Sequence, residues 1–239
     1  MTTTTEARTA RVLLVPDGPG ARLEVASGLV APRVVRRSAS TAEVALVATT
    51  ATLLGGDELR LRVEVGPGLR LDLLDVAGTV AYHGRGRTAL VDVSLTVHPG
   101  GVLAWAGEPL VVCDGARVTR RLRVEVEEDA VVLLRDRVAL GRSGEAGGDL
   151  SCHTTMKYAD RPALLEELTL RPGSGPGVLG PARVLDSVTA LGWRPPPLGG
   201  DEQAYRLHEP GALARRLLVH AHDTTLDTVW AAWSADLSR

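Results

Sequence analysis

The stretch VEVGPGLRL (Val63–Leu71) places a tight turn between two runs in which apolar and polar residues alternate. The first run carries charged residues between its apolar positions, which fall at Leu59, Leu61, Val63 and Val65. Period two over eight residues is typical of a half-buried β-strand with one solvated face. In the turn itself, glycine allows positive φ and proline presets φ, so the chain reverses into a second strand.

The same arrangement recurs twice downstream, as LTVHPGGVL (Leu95–Leu103) and VEVEEDAVVL (Val124–Leu133). Val97 and Val126 take the place of Val65, after intervals of 32 and 29 residues. Strands stacked at a near-constant interval predict a solenoid-like or sandwich all-β body. Periodicity alone is equally compatible with an ordinary meander whose hairpins happen to be similar in length.

The N-terminal region carries a separate hairpin signal. RVLLV (Arg11–Val15) meets the turn cluster PDGPG (Pro16–Gly20), and an alternating run follows. This pattern predicts two antiparallel strands. The polar residues 1–10 are predicted to be disordered.

The chain changes character after residue 140. GRSGEAGGDL (Gly141–Leu150) has too much glycine for regular structure and is too long for a tight turn, so it is a candidate functional or flexible loop. RPALLEELTL (Arg161–Leu170) fits either a short helix or a strand. Residues 210–239 are predicted to be helical, because Pro210 precedes leucines at helical spacing and a terminal amphipathic segment follows. One domain over residues 1–239 is the simplest organisation.

Composition excludes several classes of function. The chain has 239 residues, 23% of them charged, with a net charge of −2, so no basic surface for nucleic acid is expected. No apolar run approaches the ~18 residues of a membrane span, and no apolar leader is evident. We therefore expect a cytoplasmic protein that does not bind membranes. Cys113 and Cys152, 39 residues apart, are expected to be buried free thiols.

The motif HAHD offers one candidate metal site, with His220, His222 and Asp223 as ligands. On a strand, two histidines at this spacing share a face about 7 Å apart. The run before them looks helical, however, and on a helix the two side chains would diverge. A metal-dependent enzyme on a β scaffold therefore stays an alternative, beside a surface pair without function.

Two other kinds of chemistry are disfavoured. Neither cysteine has a glycine elbow or an oxyanion-loop pattern around it, which argues against a catalytic thiol. GPGLRL is followed by a strand, whereas a phosphate-binding loop requires a following helix. Acidic residues at strand ends are usually only solvated, but stacked coils would bring acids from successive units together.

The order of these motifs resembles the urease accessory protein family UreD, also called UreH. The similarity runs from about Gly28 to the C-terminus. Four segments carry it: LLGGDELRLRVEVGPGLRLDLLDVAGTVAYHG, HPGGVLAWAGEPLVVCDGARVTRRLRVEV, DRVALGRSGEAGGDL and the terminal VWAAW. The resemblance implies a helicoidal, almost entirely β fold with a small C-terminal helical addition.

The resemblance also implies a scaffold rather than an enzyme. Members bind UreF, which recruits the GTPase UreG, and the assembly docks on urease apoprotein to help deliver nickel. No tightly bound cofactor is implied, only nickel in transit, and a polar passage through the interior is its suggested route. Weak, distributed oxygen sites suit transit, since strong coordination would trap the ion. A plain β binding module without metal traffic is the remaining alternative.

Individual positions carry over by their place in the motifs. Asp57 matches the acid of the family's GGD, Glu108 the acid closing LPQE, and Tyr82 the tyrosine of a K-x-Y segment. Gly141 and Arg142 match a GR pair, and Glu145 matches the acid of GE. The resemblance makes Asp57, Glu108, Glu145 and Tyr82 candidates for the polar passage, and Gly141 and Arg142 candidates for a partner interface.

The chain departs from the family pattern at several places. LPQE has become WAGE, and Leu74-Asp75 and Val80 stand where members usually have Thr-Thr and Lys. The chain contains no Phe, so several family aromatics are missing. With these departures, the chain resembles a short, divergent member of the family.

Overall fold

The computed structural model of the chain describes residues 9–50, 53–173, 178–199, 203–220, 223 and 226–237. Within them the backbone forms seventeen β-strands and one α-helix. The strands are β1 (Ala10–Asp17), β2 (Gly20–Ala26), β3 (Val30–Arg37), β4 (Thr41–Ala48), β5 (Glu58–Val65), β6 (Arg70–Asp75), β7 (Thr79–Ala81), β8 (Ala89–Val97), β9 (Val102–Ala106), β10 (Leu110–Val112), β11 (Arg117–Val126), β12 (Val131–Leu140), β13 (Asp149–Tyr158), β14 (Arg161–Leu170), β15 (Val184–Leu191), β16 (Ala204–Arg206) and β17 (Gly211–Leu218). The helix α1 is Asp227–Asp236.

Two large sheets face each other. The first has the order β14-β13-β11-β8-β5-β1-β2, and the second has the order β16-β17-β15-β12-β9-β6-β4-β3. In the first sheet, β1, β5, β8, β11 and β13 are parallel neighbours. In the second, β4, β6, β9 and β12 are parallel neighbours. Because the chain passes from one sheet to the other and back, each circuit adds one coil of a solenoid.

The repeated valines mark the register of these coils. Val65 in β5 lies opposite Val97 in β8, and Val97 lies opposite Val126 in β11. Both pairings are between parallel strands, whereas a meander would have paired neighbouring strands antiparallel. The solenoid-like all-β prediction is therefore confirmed.

The corners after these valines repeat as well. Three residues beyond each valine the backbone takes a left-handed conformation, at Gly68 (φ 65°), Gly100 (φ 68°) and Asp129 (φ 62°). Asp is among the few non-glycine residues that adopt this conformation readily. The Gly68 amide donates to the carbonyl of Pro99 in the next coil at 3.0 Å, so the turns stack on one another.

A short third face closes the coils on one side. β7 pairs in parallel with β10, and β10 pairs in parallel with the end of β12. Leu53 extends this face by a single parallel bridge to Ala81. Inside the coils, the inward residues of both sheets form one continuous apolar core, built mainly from Val, Leu and Ala.

Antiparallel hairpins terminate the stack at both ends. The predicted hairpin of β1 and β2 is confirmed, and β3 and β4 form a second one beside it. The start of β1 overlaps the segment predicted to be disordered: Ala10 is fully buried there, and residues 1–8 lie outside the described part of the chain. At the other end, Arg161–Leu170 is a strand that pairs antiparallel with β13.

The C-terminal part is only partly helical. The helix predicted after residue 210 is wrong, because Gly211–Leu218 forms β17 and pairs with all eight residues of β15. An open sheet edge outweighs the weak helical preference of this segment. The terminal helix is confirmed as α1, which packs Val229 and Trp233 against a small apolar cluster on the outer face of the second sheet.

Candidate functional site

A ladder of corner residues brings several of the predicted positions together. Along the third face, Leu53, Ala81, Val112 and Leu140 are successive partners. The next residue in three of these coils is Tyr82, Cys113 and Gly141. Tyr82 therefore lies two coils from Gly141, at the start of the glycine-rich loop 141–148.

Tyr82, Arg142 and Glu145 form one cluster at this corner. The Arg142 guanidinium lies over the Tyr82 ring, 5.2 Å from its centroid. The same guanidinium donates from Nη2 to Glu145 Oε1 at 2.5 Å, and the Arg142 amide donates to Oε2 at 2.9 Å. The side-chain and backbone hydrogen bonds from Arg142 lower the pKa of Glu145 to about 2. Its carboxylate is thus ionised and held by arginine.

Neighbouring side chains hold the same loop from both sides. Arg183 donates from Nη2 to the Leu140 carbonyl at 2.7 Å and also to the Glu145 carbonyl. Asp114 accepts from the Gly147 amide at 2.6 Å. The segment 141–148, a candidate flexible loop by sequence, is therefore fastened at three points.

Asp57 has a local role in a different corner. Its Oδ2 accepts from the Leu54 amide at 2.8 Å, which closes the turn before β5. Its carbonyl accepts from the Leu90 amide of the next coil at 2.8 Å. These contacts tie one coil to the next, and none of them brings Asp57 to Glu108 or Glu145.

Glu108 lies at the opposite corner, where the second sheet meets the third face. Its Oε2 pairs with Arg137 Nη2 at 2.7 Å, and its amide donates to Asp75 Oδ2 at 2.9 Å. Asp75 also accepts from the Trp105 indole Nε1 at 3.2 Å. Burial raises the pKa of Asp75 to about 6, and these two hydrogen bonds only partly oppose that rise.

A cavity of about 90 Å³ opens between the sheets at this corner. Its polar lining includes Asp75, Glu108, Arg120 and Asp136. One water needs roughly 10–15 Å³ of such space, so the cavity has room for several. Glu108 is therefore a predicted passage residue that borders this cavity.

Arg120 and Asp136 connect the two sheets through the interior. Arg120 is on β11 and donates from Nη1 to Asp136 Oδ2 on β12 at 2.5 Å. In the first sheet the partners of Arg120 on either side are Val91 and Cys152. The Cys152 thiol is buried, and burial raises its pKa to about 11. An arginine thus stands in a column of otherwise uncharged side chains.

A second, smaller cavity lies next to Asp136, toward β14, and is also lined by polar side chains. It measures about 20 Å³ and is bordered by Asp136, Glu166, Ser187 and Arg215. Arg215 holds both carboxylate oxygens of Glu166, at 2.5 and 2.9 Å, and donates from Nε to Ser187 Oγ at 3.1 Å. Asp136 borders both cavities.

Sequence reasoning missed most of this interior line, namely Asp75, Arg120, Asp136, Glu166 and Arg215. One signal could have found Arg120. In RVTRRLRVEV the inward positions of β11 alternate, and Arg120 occupies one of them between Val118 and Leu122. A charge at an inward position of a strand is unusual enough to mark a site.

The chain matches the family model described as "UreD urease accessory protein" over residues 21–233. The chain belongs to the UreD family. It is 44% identical over 87% of its length to a protein named urease accessory protein UreD 1 of Streptomyces griseus, covering 79% of that relative. It is 36% identical to the UreD protein of Streptomyces avermitilis, over 77% of this chain and 76% of the relative. It is 34% identical to that of Streptomyces coelicolor, over 85% of this chain and 82% of the relative.

Membership in the UreD family makes the chain an accessory protein rather than an enzyme, as the sequence predicts. The alternative metal site of His220, His222 and Asp223 lies partly outside the described residues. The Asp223 carboxylate accepts from the His220 amide at 3.1 Å, a turn contact, while His222 lies outside the described residues. Among described residues no cluster of three His, Cys, Asp or Glu side chains could hold a metal ion. No helix in the described ranges is long and apolar enough to cross a membrane.

Proposed function

We propose that this UreD protein acts in the cytoplasm as a scaffold in urease maturation. In this role it binds UreF, through it the GTPase UreG, and the urease apoprotein, and it assists the delivery of nickel into the urease active site. Family membership supports the general role. The observation that carries the nickel part is a line of carboxylates that begins at the exposed Glu108 and continues between the two sheets through Asp75 and Asp136 to Glu166.

The chemistry of this line suits a cation in transit better than a resident one. Every carboxylate in it except Asp75 is paired with an arginine: Glu108 with Arg137, Asp136 with Arg120 and Glu166 with Arg215. An oxygen already held by a guanidinium offers only weak coordination, and weak successive sites allow an ion to leave as well as to bind. Nickel is thus cargo in this proposal, and no bound cofactor is invoked.

Three of the predicted passage residues, Asp57, Glu145 and Tyr82, have a different place in the proposal. Glu145 and Asp57 shape corners of the coils, and Tyr82 and Arg142 belong with Glu145. We assign the corner formed by Tyr82, Arg142 and Glu145 to partner contact, because residues 142–144 of the loop are exposed. Glu108, at the mouth of the larger cavity, keeps its assignment to the passage.

The general proposal is tested by deleting the gene and measuring the activity and nickel content of urease in the same cells. We expect both to fall, and added nickel to restore part of the activity. Unchanged nickel content and activity would contradict the proposal. Co-purification of the tagged chain with UreF tests the partner independently of nickel.

The passage is tested by Glu108→Gln, which keeps shape but removes the charge at the cavity mouth. Glu167→Gln is the matched control, since the Glu167 side chain is 85% exposed on the outer face of the first sheet. Reduced urease nickel content for the first variant alone, with UreF still co-purifying, supports the passage. Equal nickel content for both variants argues against it.

A further inference from the structure

The two interior cavities lie on either side of a single ion pair. Arg120 and Asp136 both line the larger cavity, and Asp136 together with Leu134 lines the smaller one as well. Arg120 comes from the first sheet and Asp136 from the second, and their side chains meet at 2.5 Å. Their contact therefore spans the interior at the point where one cavity ends and the other begins.

The environment of the pair holds the guanidinium in place. The Arg120 side chain is only 12% exposed, and its neighbours in the sheet are Val91 and Cys152. Such a site disfavours an unpaired charge strongly, so Arg120 and Asp136 stay together unless something replaces one of them. A guanidinium held in the interior also repels a second cation more than it would in bulk water, where the dielectric constant is higher.

We propose that Arg120 is a gate between the two cavities, which a divalent cation passes only when the guanidinium leaves Asp136. The role of this gate in nickel delivery rests on the proposed nickel passage. The gate itself is inferred from the two cavities and the ion pair between them. With the gate closed, the Asp75 side and the Glu166 side of the interior are separate. With it open, Asp136 becomes an anionic site shared by both.

The alternative is that the pair only fastens the two sheets together. The two possibilities differ in what happens when charge and size are changed independently. Arg120→Ala with Asp136→Asn removes the charges and leaves a polar opening. Arg120→Met with Asp136→Leu removes the charges but fills the same space with apolar side chains.

Access to the gate can be measured with cadmium ions, because Cys152 is the residue paired with Arg120 on the neighbouring strand. The chain has two cysteines, so Cys113→Ser leaves Cys152 as its one thiol. Cadmium binding replaces the thiol proton, which is released to solvent, and the cadmium–sulfur bond absorbs in the ultraviolet. The rate of that absorbance change in the full-length Cys113→Ser chain reports how fast a divalent cation reaches the gate.

We expect the polar opening to raise this rate about tenfold or more, equivalent to at least about 1.4 kcal/mol in barrier. We expect the apolar filling to leave the rate at or below that of the parent. Equal rates in all three proteins would overturn the gate. Circular dichroism checks that the opened variant folds. If it does not, the apolar variant alone is compared with the parent, and a cadmium-binding rate above that of the parent would overturn the gate.

Urease nickel content with the same variants separates the gate from the passage. The apolar filling should lower the nickel content if nickel crosses the interior. Altered cadmium-binding rates with unchanged urease nickel content would support the gate and contradict the nickel passage. Unaltered cadmium-binding rates with lowered urease nickel content would contradict the gate and support the nickel passage.

Discussion

Arg135 in β12 binds Asp186 in β15 through two hydrogen bonds, from Nε to Oδ1 at 3.2 Å and from Nη2 to Oδ2 at 2.8 Å. The two side chains are only 7% and 1% exposed. The remaining Nη1 of Arg135 reaches Asp227 at the first residue of α1. One buried guanidinium thus joins two strands and the terminal helix.

Removing Arg135 should destabilise the protein strongly. Arg135→Met leaves Asp186 buried without its counter-ion, and breaking such a pair costs about 3–5 kcal/mol. The free energy of unfolding, measured by urea denaturation, should fall by that amount. Arg60→Met is the control, because its pair with Glu58 is 41% exposed on both sides and exposed pairs contribute little. Adding Asp186→Leu to Arg135→Met should recover much of the loss.

Asp75 should give the stability a distinctive pH dependence. Its folded pKa of about 6 lies above the ordinary value of 3.8, so the folded chain binds the proton more tightly than the unfolded chain. The resulting stabilisation is complete below pH 3.8 and is lost as the pH rises through about 6. Asp75→Asn does not titrate. The stability of wild type relative to this variant should fall by about 3 kcal/mol across that window. A pH-independent difference would show that burial does not shift this carboxyl.

Two glycines at adjacent corners should tolerate no side chain. A Cβ on Gly55 would lie 2.5 Å from the Cα of Gly84 and 2.6 Å from the carbonyl oxygen of Arg87. Gly55→Ala must therefore shift backbone, and we expect a loss of about 1–3 kcal/mol in the free energy of unfolding. Gly199→Ala is the control, since its Cβ would meet no atom within 4 Å. Equal stability of the two variants would contradict the close approach of these corners.

Trp233 should matter for its volume and not for its polar atom. The indole Nε1 is buried and has no hydrogen-bond partner among the described residues. Trp233→Phe removes that unsatisfied donor while keeping most of the apolar contact, so we expect a change within about 1 kcal/mol. Trp233→Ala should cost about 3–5 kcal/mol and release α1. Thermal denaturation and the helical circular dichroism signal measure the two effects.

The corner cluster should control the order of the glycine-rich loop. Glu145→Ala removes the acceptor for both the Arg142 side chain and its amide. Amide hydrogen exchange should become faster over residues 141–148 and stay unchanged in β8 and β9. We also expect reduced urease activation, with Glu167→Ala as the exposed control. Unchanged exchange in the loop would show that Asp114 and Arg183 suffice to hold it.

The sequence could predict the coils but only part of the interior. The spacing of Val65, Val97 and Val126 predicts repeated units, and the structure shows that these valines are register partners on parallel strands. The spacing does not say which inward side chains face one another across the body. Arg120 and Asp136 are 16 residues apart and on different sheets, so their contact depends on how the coils close.

The error after residue 210 has a similar origin. Pro210 and a run of leucines and alanines favour a helix locally, yet β15 leaves an unpaired edge that β17 fills. Tertiary hydrogen bonding decides such ambiguous segments. The acidic residues at the corners are a different case. Resemblance to the family identified Glu145 and Asp57 as candidates, but only the structure shows that both stabilise turns.

The parallel pairing of β1, β5, β8, β11 and β13 sets a length as well as a fold. Neighbouring strands are about 4.8 Å apart, so these five strands measure about 19 Å from first to last. The line of charged residues in the interior crosses successive strands, so its length depends on the number of coils. In such an array, gaining or losing one coil of about thirty residues would change the separation of the two ends by one strand spacing. The number of repeats therefore sets the distance between the two ends of the first sheet.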